Sequence, residues 1–232
     1  MVDTADTVDM GAKNLINRIS TDWKRVILPV YERYKESIDA VLNQDGLVPP
    51  PDSIFYCFDH FDLKDLRVII IGQDPYINEG EAMGLCFSVS NKKPPCPPSL
   101  KNIFKELESE YGVKRTSTDL TDWAKQGVLL LNTSLTTLLG KSGHHINIWK
   151  NFTKDLLISI VKEKQDIVFM LWGAFAQDIF NSVDKQNPGS KGLVLRHTHP
   201  SPLSRKPFVG CGHFKACNDW LKENGKEEIR WV

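Results

Sequence analysis

Four short apolar runs, each stopping at a polar or glycine-containing segment, constrain this chain more than any other feature. The first, Val68 to Ile71, is β-branched throughout and shows no polar alternation, the pattern of a strand covered on both faces. Gly127 to Leu131, Asp166 to Leu171 and Gly192 to Leu195 read as a second, third and fourth strand. At 232 residues the chain reads as one α/β domain with a full core. In such folds ligands sit where strands end at their carboxyl edge, so the residues that follow each run carry the functional information.

After Ile71 come Gly72, Gln73, Asp74, Pro75 and Tyr76, and the run Gly84 to Val89 returns Phe87 to the same neighbourhood. A carboxylate, a proline turn, a tyrosine and a phenyl face together suit a flat polar ring. Asp-Pro alone is ordinary turn chemistry, so the other strand ends must supply matching groups. The second run ends in Asn132. A buried amide without partners costs roughly 1–3 kcal/mol, so this one either ties down a loop or reads a ligand. Its adjacent donor and acceptor match the edge of a pyrimidine.

The third run leads through Trp172, Gly173 and Ala174 into a helical pattern, a turn compatible with phosphate. No GxGxxG or Walker sequence is present, which argues against dinucleotide or ATP binding. The fourth leads into His199-Pro200-Ser201-Pro202-Leu203-Ser204, followed by Arg205 and Lys206. His199 is the second candidate catalytic group. Leu203, an apolar side chain in a polar loop, has the character of a wedge that enters a base stack.

The remaining segments read as scaffold. Residues 1–13 form a loose tail, and residues 14–232 a single domain. Asn14 to Leu28 and Pro29 to Leu42 carry helical spacing, with Val30, Tyr34, Ile38 and Leu42 on one face. A short helix is expected near Ile54 to Phe58, and Phe55, Tyr56, Phe58 and Phe61 are expected in the core. Lys92 to Ser99 is a proline arm that ends with Pro98 and a capping Ser99 at a helix start, where Lys92 and Lys93 could help to hold a phosphate. Asp119 to Gln126 reads as a short helix and Trp149 to Glu163 as a longer one. His144 and His145, in the polar loop Gly140 to Ile148, lack metal-ligand companions and are expected in solvent. A closing helix and a terminal edge segment complete the chain.

Composition removes several classes. Lys plus Arg equals Asp plus Glu, so any site for a polyanion must be a local patch. Five cysteines without a CxxC pair fit neither a disulfide framework nor a zinc site. Cys57, Cys86 and Cys211 read as buried thiols of a reducing, intracellular compartment. No apolar run is long enough for a membrane span, and the acidic start MVDTADTVDMGA is unlike a secretory signal.

GQDPY with GLCFSV, PPS followed by LKNIFKEL, GVLLLN, LWGAFAQ and HPSPLS occur in an order and spacing that resemble the uracil-DNA glycosylases of family 1, from about Thr21 to the end. The resemblance implies an α/β fold with a central four-stranded parallel sheet flanked by helices on both sides. It implies that Asp74 orients the attacking water and stabilises the cationic sugar, and that His199 donates a hydrogen bond to uracil O2. Asn132 resembles the uracil-reading amide, Phe87 the stacking ring and Tyr76 the group that blocks a 5-methyl, with Gln73 in the same pocket. Pro98, Ser99, the Gly173-Ala174 turn, Ser201, Ser204 and Arg205 fall in the loops that grip the DNA backbone, and Leu203 matches the residue that fills the vacated stack.

The chain departs from the family pattern at several places: Cys96 interrupts a proline arm one residue longer than usual, the loop after HPSPLS is shorter and more basic, and three single positions differ. Ile77 and Met83 stand where imidazoles are frequent, and Ala174 removes a hydroxyl while leaving backbone N–H groups. The resemblance implies excision of uracil from DNA, single- or double-stranded, by a monomer that needs no cofactor and no metal. A protein inhibitor or replication partners are the further partners it suggests. The location would be the nucleus in a eukaryote and the cytoplasm in a bacterium or for a viral protein. The alternative reading is a DNA-binding or polymerase-accessory protein that keeps the fold with weak or no glycosylase activity.

Overall fold

The apolar runs pair into one parallel sheet in the computed structural model, which describes residues 11–91, 96–188 and 192–232. In chain order the elements are α1 (Ala12–Asn17), α2 (Lys24–Tyr31), α3 (Lys35–Leu42), β1 (Leu47–Val48), β2 (Val68–Gly72), α4 (Pro98–Tyr111), α5 (Thr121–Ala124) and β3 (Val128–Asn132). They continue with β4 (Thr137–Leu138), α6 (Ile146–Glu163), β5 (Val168–Trp172), α7 (Ala174–Asp184), β6 (Leu193–His197) and α8 (His213–Glu223). The sheet order is β3-β2-β5-β6, parallel throughout, with helices packed around it. β2 and β5 are buried at every position, as strands covered on both faces require. β6 is an edge strand and only half-buried. β1 and β4 form a separate antiparallel ladder.

All four strands end one or two residues past the apolar runs, at Gly72, Asn132, Trp172 and His197. β3 includes Asn132, which pairs with Gly72, and β6 reaches His197, which pairs with Trp172. These four residues form the last rungs of the sheet, immediately before the loops that carry chemistry. Because β3 and β5 flank β2 on opposite sides, the chain leaving β2 emerges at a topological switch point, where open α/β sheets form a crevice.

The first third of the chain departs from its periodicity. α2 runs through Pro29 instead of stopping before it, and Val30, Tyr34, Ile38 and Leu42 are divided between α2, the turn that follows and α3. An interior proline costs about 3 kcal/mol. Burying Val26, Ile27 and Val30 at roughly 1.5–3 kcal/mol each outweighs it. Ala12, assigned to the tail by sequence, is buried at the start of α1. Two 3-10 turns, Pro51–Ser53 and Tyr56–Phe58, stand where one short helix was expected, and Phe55, Phe58 and Phe61 are core residues with Tyr56 half-buried.

Ser99 does not cap α4. Pro97 occupies the cap position and Pro98 the first helical one, where its fixed φ and missing N–H cost nothing, so Ser99 falls one residue inside. Lys92 and Lys93 lie outside the described residues. Cys211 is half-buried, whereas Cys57 and Cys86 are buried as expected. Residues 224–232 form no strand, and they anchor through buried Ile229 and Trp231. No helix among the described residues is long and apolar enough to cross a membrane.

Candidate active site

The site begins with the absence of a side chain at Gly72. A Cβ there would lie 2.2 Å from Asn132 Oδ1 and 2.7 Å from Cys86 Cβ, so only glycine lets the carboxamide lie across the end of β2. Asp74 follows two residues later. Its Oδ2 accepts hydrogen bonds from Ser142 Oγ at 2.9 Å and from the Gly143 backbone N–H at 2.5 Å. The residues from Gly84 to Val89 make a turn and not a strand. Phe87 there adopts φ 63°, a left-handed conformation that costs a non-glycine residue about 1–3 kcal/mol. That geometry sets its ring 5.6 Å from the Trp172 ring and 5.8 Å from the His199 ring. The Phe87 carbonyl accepts the Tyr76 hydroxyl at 3.2 Å, and burial raises the Tyr76 pKa, which keeps the phenol protonated.

His199 is held from three directions. The Ser201 backbone N–H donates to its Nδ1 at 3.0 Å, so the proton of the neutral ring sits on Nε2. Ser204 Oγ donates to the His199 carbonyl at 2.6 Å, and Asn102 Nδ2 on α4 donates to the Pro200 carbonyl at 2.8 Å. At Gly173, φ is 95° and an added Cβ would lie 2.9 Å from His199 Cβ, so the turn after β5 packs directly against the imidazole. Burial lowers the His199 pKa, and the negative charge of Asp74 opposes that shift in part.

Asp74, His199, Asn132, Phe87, Tyr76 and Gln73 line one cavity of about 450 Å³, a size ordinary for small-ligand sites. Ser99, Ser201 and Leu203 stand on its wall, as do Ile77 and Met83. Leu203 is 92% exposed, so its side chain has no packing in the fold, while its backbone N–H donates to Ser201 Oγ at 3.2 Å. Gly173 and Ala174 border a smaller cavity of about 90 Å³ shared with Gln73 and His199. Pro98, Ser204 and Arg205 do not line the main cavity. Of the backbone N–H groups at the Gly173-Ala174 turn, that of Gly173 donates to the His197 carbonyl at 2.9 Å. The cavity thus presents an anionic acceptor on one wall, an N–H donor on another, a carboxamide and an aromatic face.

Two residues escaped the sequence reading. Ser142 lines the cavity, yet a serine in a polar loop carries no periodic signal. His145, expected in solvent, is buried, and burial lowers its pKa. Thr136 Oγ1 accepts from Trp149 Nε1 at 2.7 Å and donates to His145 Nδ1 at 3.0 Å, which leaves His145 Nε2–H to donate to Gln44 Oε1 at 3.1 Å.

Outside the site, Glu106, Glu110 and Cys211 bring potential metal-ligand atoms within 4.8 Å of one another. Their carboxylates already accept N–H groups of Gly210 (2.5 Å), Gly212 (2.7 Å), Phe214 (3.2 Å) and Lys215 (2.6 Å), so the pair of glutamates acts as a cap for α8.

The family model described as "Uracil DNA glycosylase superfamily" matches residues 58–222. A uracil-DNA glycosylase of Azobacteroides pseudotrichonymphae is 41% identical over 92% of this chain and 99% of its own length. One of Dichelobacter nodosus is 43% identical over 92% of this chain and 95% of its own. Among solved structures, a variant of mimivirus UNG in complex with UGI superimposes with a TM-score of 0.84 at 26% identity, covering 96% of this chain and 92% of that one.

Proposed function

The chain belongs to the uracil DNA glycosylase superfamily, and on that premise we propose that Asp74 and His199 are the groups through which it excises uracil from DNA. The reaction is hydrolysis of the N-glycosidic bond, which leaves free uracil and an abasic site, the first step of base excision repair. The observation that carries the residue assignment is one cavity lined by a carboxylate, an imidazole with Nε2–H, a carboxamide and a phenyl ring, brought to the sheet's carboxyl edge by the segment after β2, the end of β3 and the loop after β6.

The base must leave the stack to enter this cavity, at a cost of a few kcal/mol that is smaller in single strands and mispairs. Leu203, free of internal packing, fills the vacancy. Ser99, Ser201, Ser204 and Arg205, with the Pro98 and Gly173-Ala174 segments, meet the DNA backbone. Phe87 stacks on the uracil, Asn132 pairs with its polar edge, Gln73 shares that pocket, and Tyr76 occupies the space a 5-methyl group would need. Breaking the bond leaves positive charge on the sugar and negative charge on uracil. Fixed charge aimed at both ends stabilises that separation without reorganisation. Asp74 serves the sugar and positions the water that adds to C1′, while neutral His199 donates to O2.

The protein acts as a monomer on single- or double-stranded DNA, and the complex of the mimivirus relative with UGI supports a protein inhibitor as a further partner. Five free cysteines support an intracellular location. The test is release of uracil from an oligonucleotide with a single deoxyuridine, beside a thymidine control. Uracil and an alkali-labile abasic site are expected from the first only. DNA binding without base release would favour an accessory protein instead.

A further inference from the structure

We propose that Ser142 is a positioning residue for the reaction, acting through Asp74. This rests on the role given to Asp74 above. Ser142 Oγ and the adjacent Gly143 N–H converge on a single carboxylate oxygen, Oδ2, at 2.9 and 2.5 Å. Among the described residues no protein donor is found for Oδ1. The carboxyl plane is therefore set by two donors on one side, and the other oxygen is left to meet water and sugar. Charge-assisted hydrogen bonds of this kind are short and directional, and a fixed carboxylate loses no free energy to reorientation during bond cleavage.

The donors come from a loop that is itself anchored. The Gly140 N–H donates to the Ile77 carbonyl at 2.9 Å, tying this loop to the one that carries Asp74. The Lys141 N–H donates to the Leu138 carbonyl at 3.0 Å, and Thr137 Oγ1 donates to the Lys141 carbonyl. Buried His145, held between Thr136 and Gln44, fixes the far end. Ser142 is exposed and lines the cavity, so its hydroxyl can be removed without opening the core.

Single-turnover uracil release by Ser142→Ala tests this. Losing one hydrogen bond to a charged group predicts a rate about 10-fold lower, with unchanged KM for DNA and unchanged Tm. Ser142→Thr restores the rate. In an Asp74→Ala background the Ser142→Ala change has no further effect, because its route to the reaction is gone. A wild-type rate in Ser142→Ala, or an equal fold-loss in the Asp74→Ala background, overturns the proposal. So does a fall in Tm that tracks the rate and is not restored by threonine, which would make the hydroxyl a loop brace. If the unmodified protein releases no uracil, the assignment of Asp74 fails and this role fails with it. If it does release uracil and Ser142→Ala matches it, only the role of Ser142 fails.

Discussion

The backbone N–H of Ser201 donates to Nδ1 of His199 at 3.0 Å, and this one bond decides which ring nitrogen faces substrate with a proton. A backbone amide can only donate, so Nδ1 must be the unprotonated nitrogen. Protonating the ring would set N–H against N–H, and burial already disfavours the charged form.

The pH dependence follows with a definite sign. The folded pKa of His199 lies below the ordinary imidazole value of about 6.5, so the neutral form persists as pH falls through that value and is lost only below it. Excision should hold its rate below pH 6.5 before it declines. Stability behaves in step: above the unfolded pKa His199 contributes nothing, and as pH drops the unfolded chain binds the proton first and stability falls. His213, pushed down to about 4 by burial and by neighbouring His197, adds to the same slope. Urea unfolding between pH 7 and 5 should therefore show a smaller loss for His199→Gln than for wild type, a difference in which His213 cancels. An equal or larger loss would contradict the buried neutral state.

Gly173→Ala should harm turnover more than folding. The new Cβ would meet His199 Cβ at 2.9 Å on a backbone at φ 95° and ψ 170°, a region essentially restricted to glycine where a side chain costs about 1–3 kcal/mol. Shifting the imidazole by about 1 Å predicts a loss on the order of 100-fold in the single-turnover rate. Unchanged turnover would mean that the packing of this turn does not set the position of His199.

Specificity should be separable from rate. Asn132→Asp replaces the amide donor with an acceptor and should admit cytosine, whose amino group the native amide opposes. Tyr76→Ala opens the space facing a 5-methyl group and should admit thymine, with a loss of uracil excision because the contact to the Phe87 carbonyl disappears. Base release from oligonucleotides bearing cytosine or thymine reads both. Selectivity unchanged in either variant would remove that residue from its role.

The sheet was legible because β2 and β5 are continuous apolar runs, and burial on both faces demands that pattern. Asn132 and His199 stood out because each follows an apolar run, Asn132 closing β3 and His199 two residues past β6, and the structure brings both to the wall of one cavity. The N-terminal helices were misread around Pro29, where packing against the core outweighs a local breaker. Ser99 was misread because the prolines before it start the helix one residue early. His145 and Ser142 were invisible for a different reason. His145 depends in part on Gln44, 101 residues away, and Ser142 faces Asp74, 68 residues away, and neither spacing has a periodicity to detect.

Single-turnover excision by Asp74→Asn and His199→Leu, set against wild type, tests most directly whether the two groups stabilise opposite charges of one breaking bond. Each substitution should slow uracil release on the order of 100- to 1000-fold, while Tm and affinity for DNA stay close to wild type. A wild-type rate in either variant would contradict the assignment of that residue.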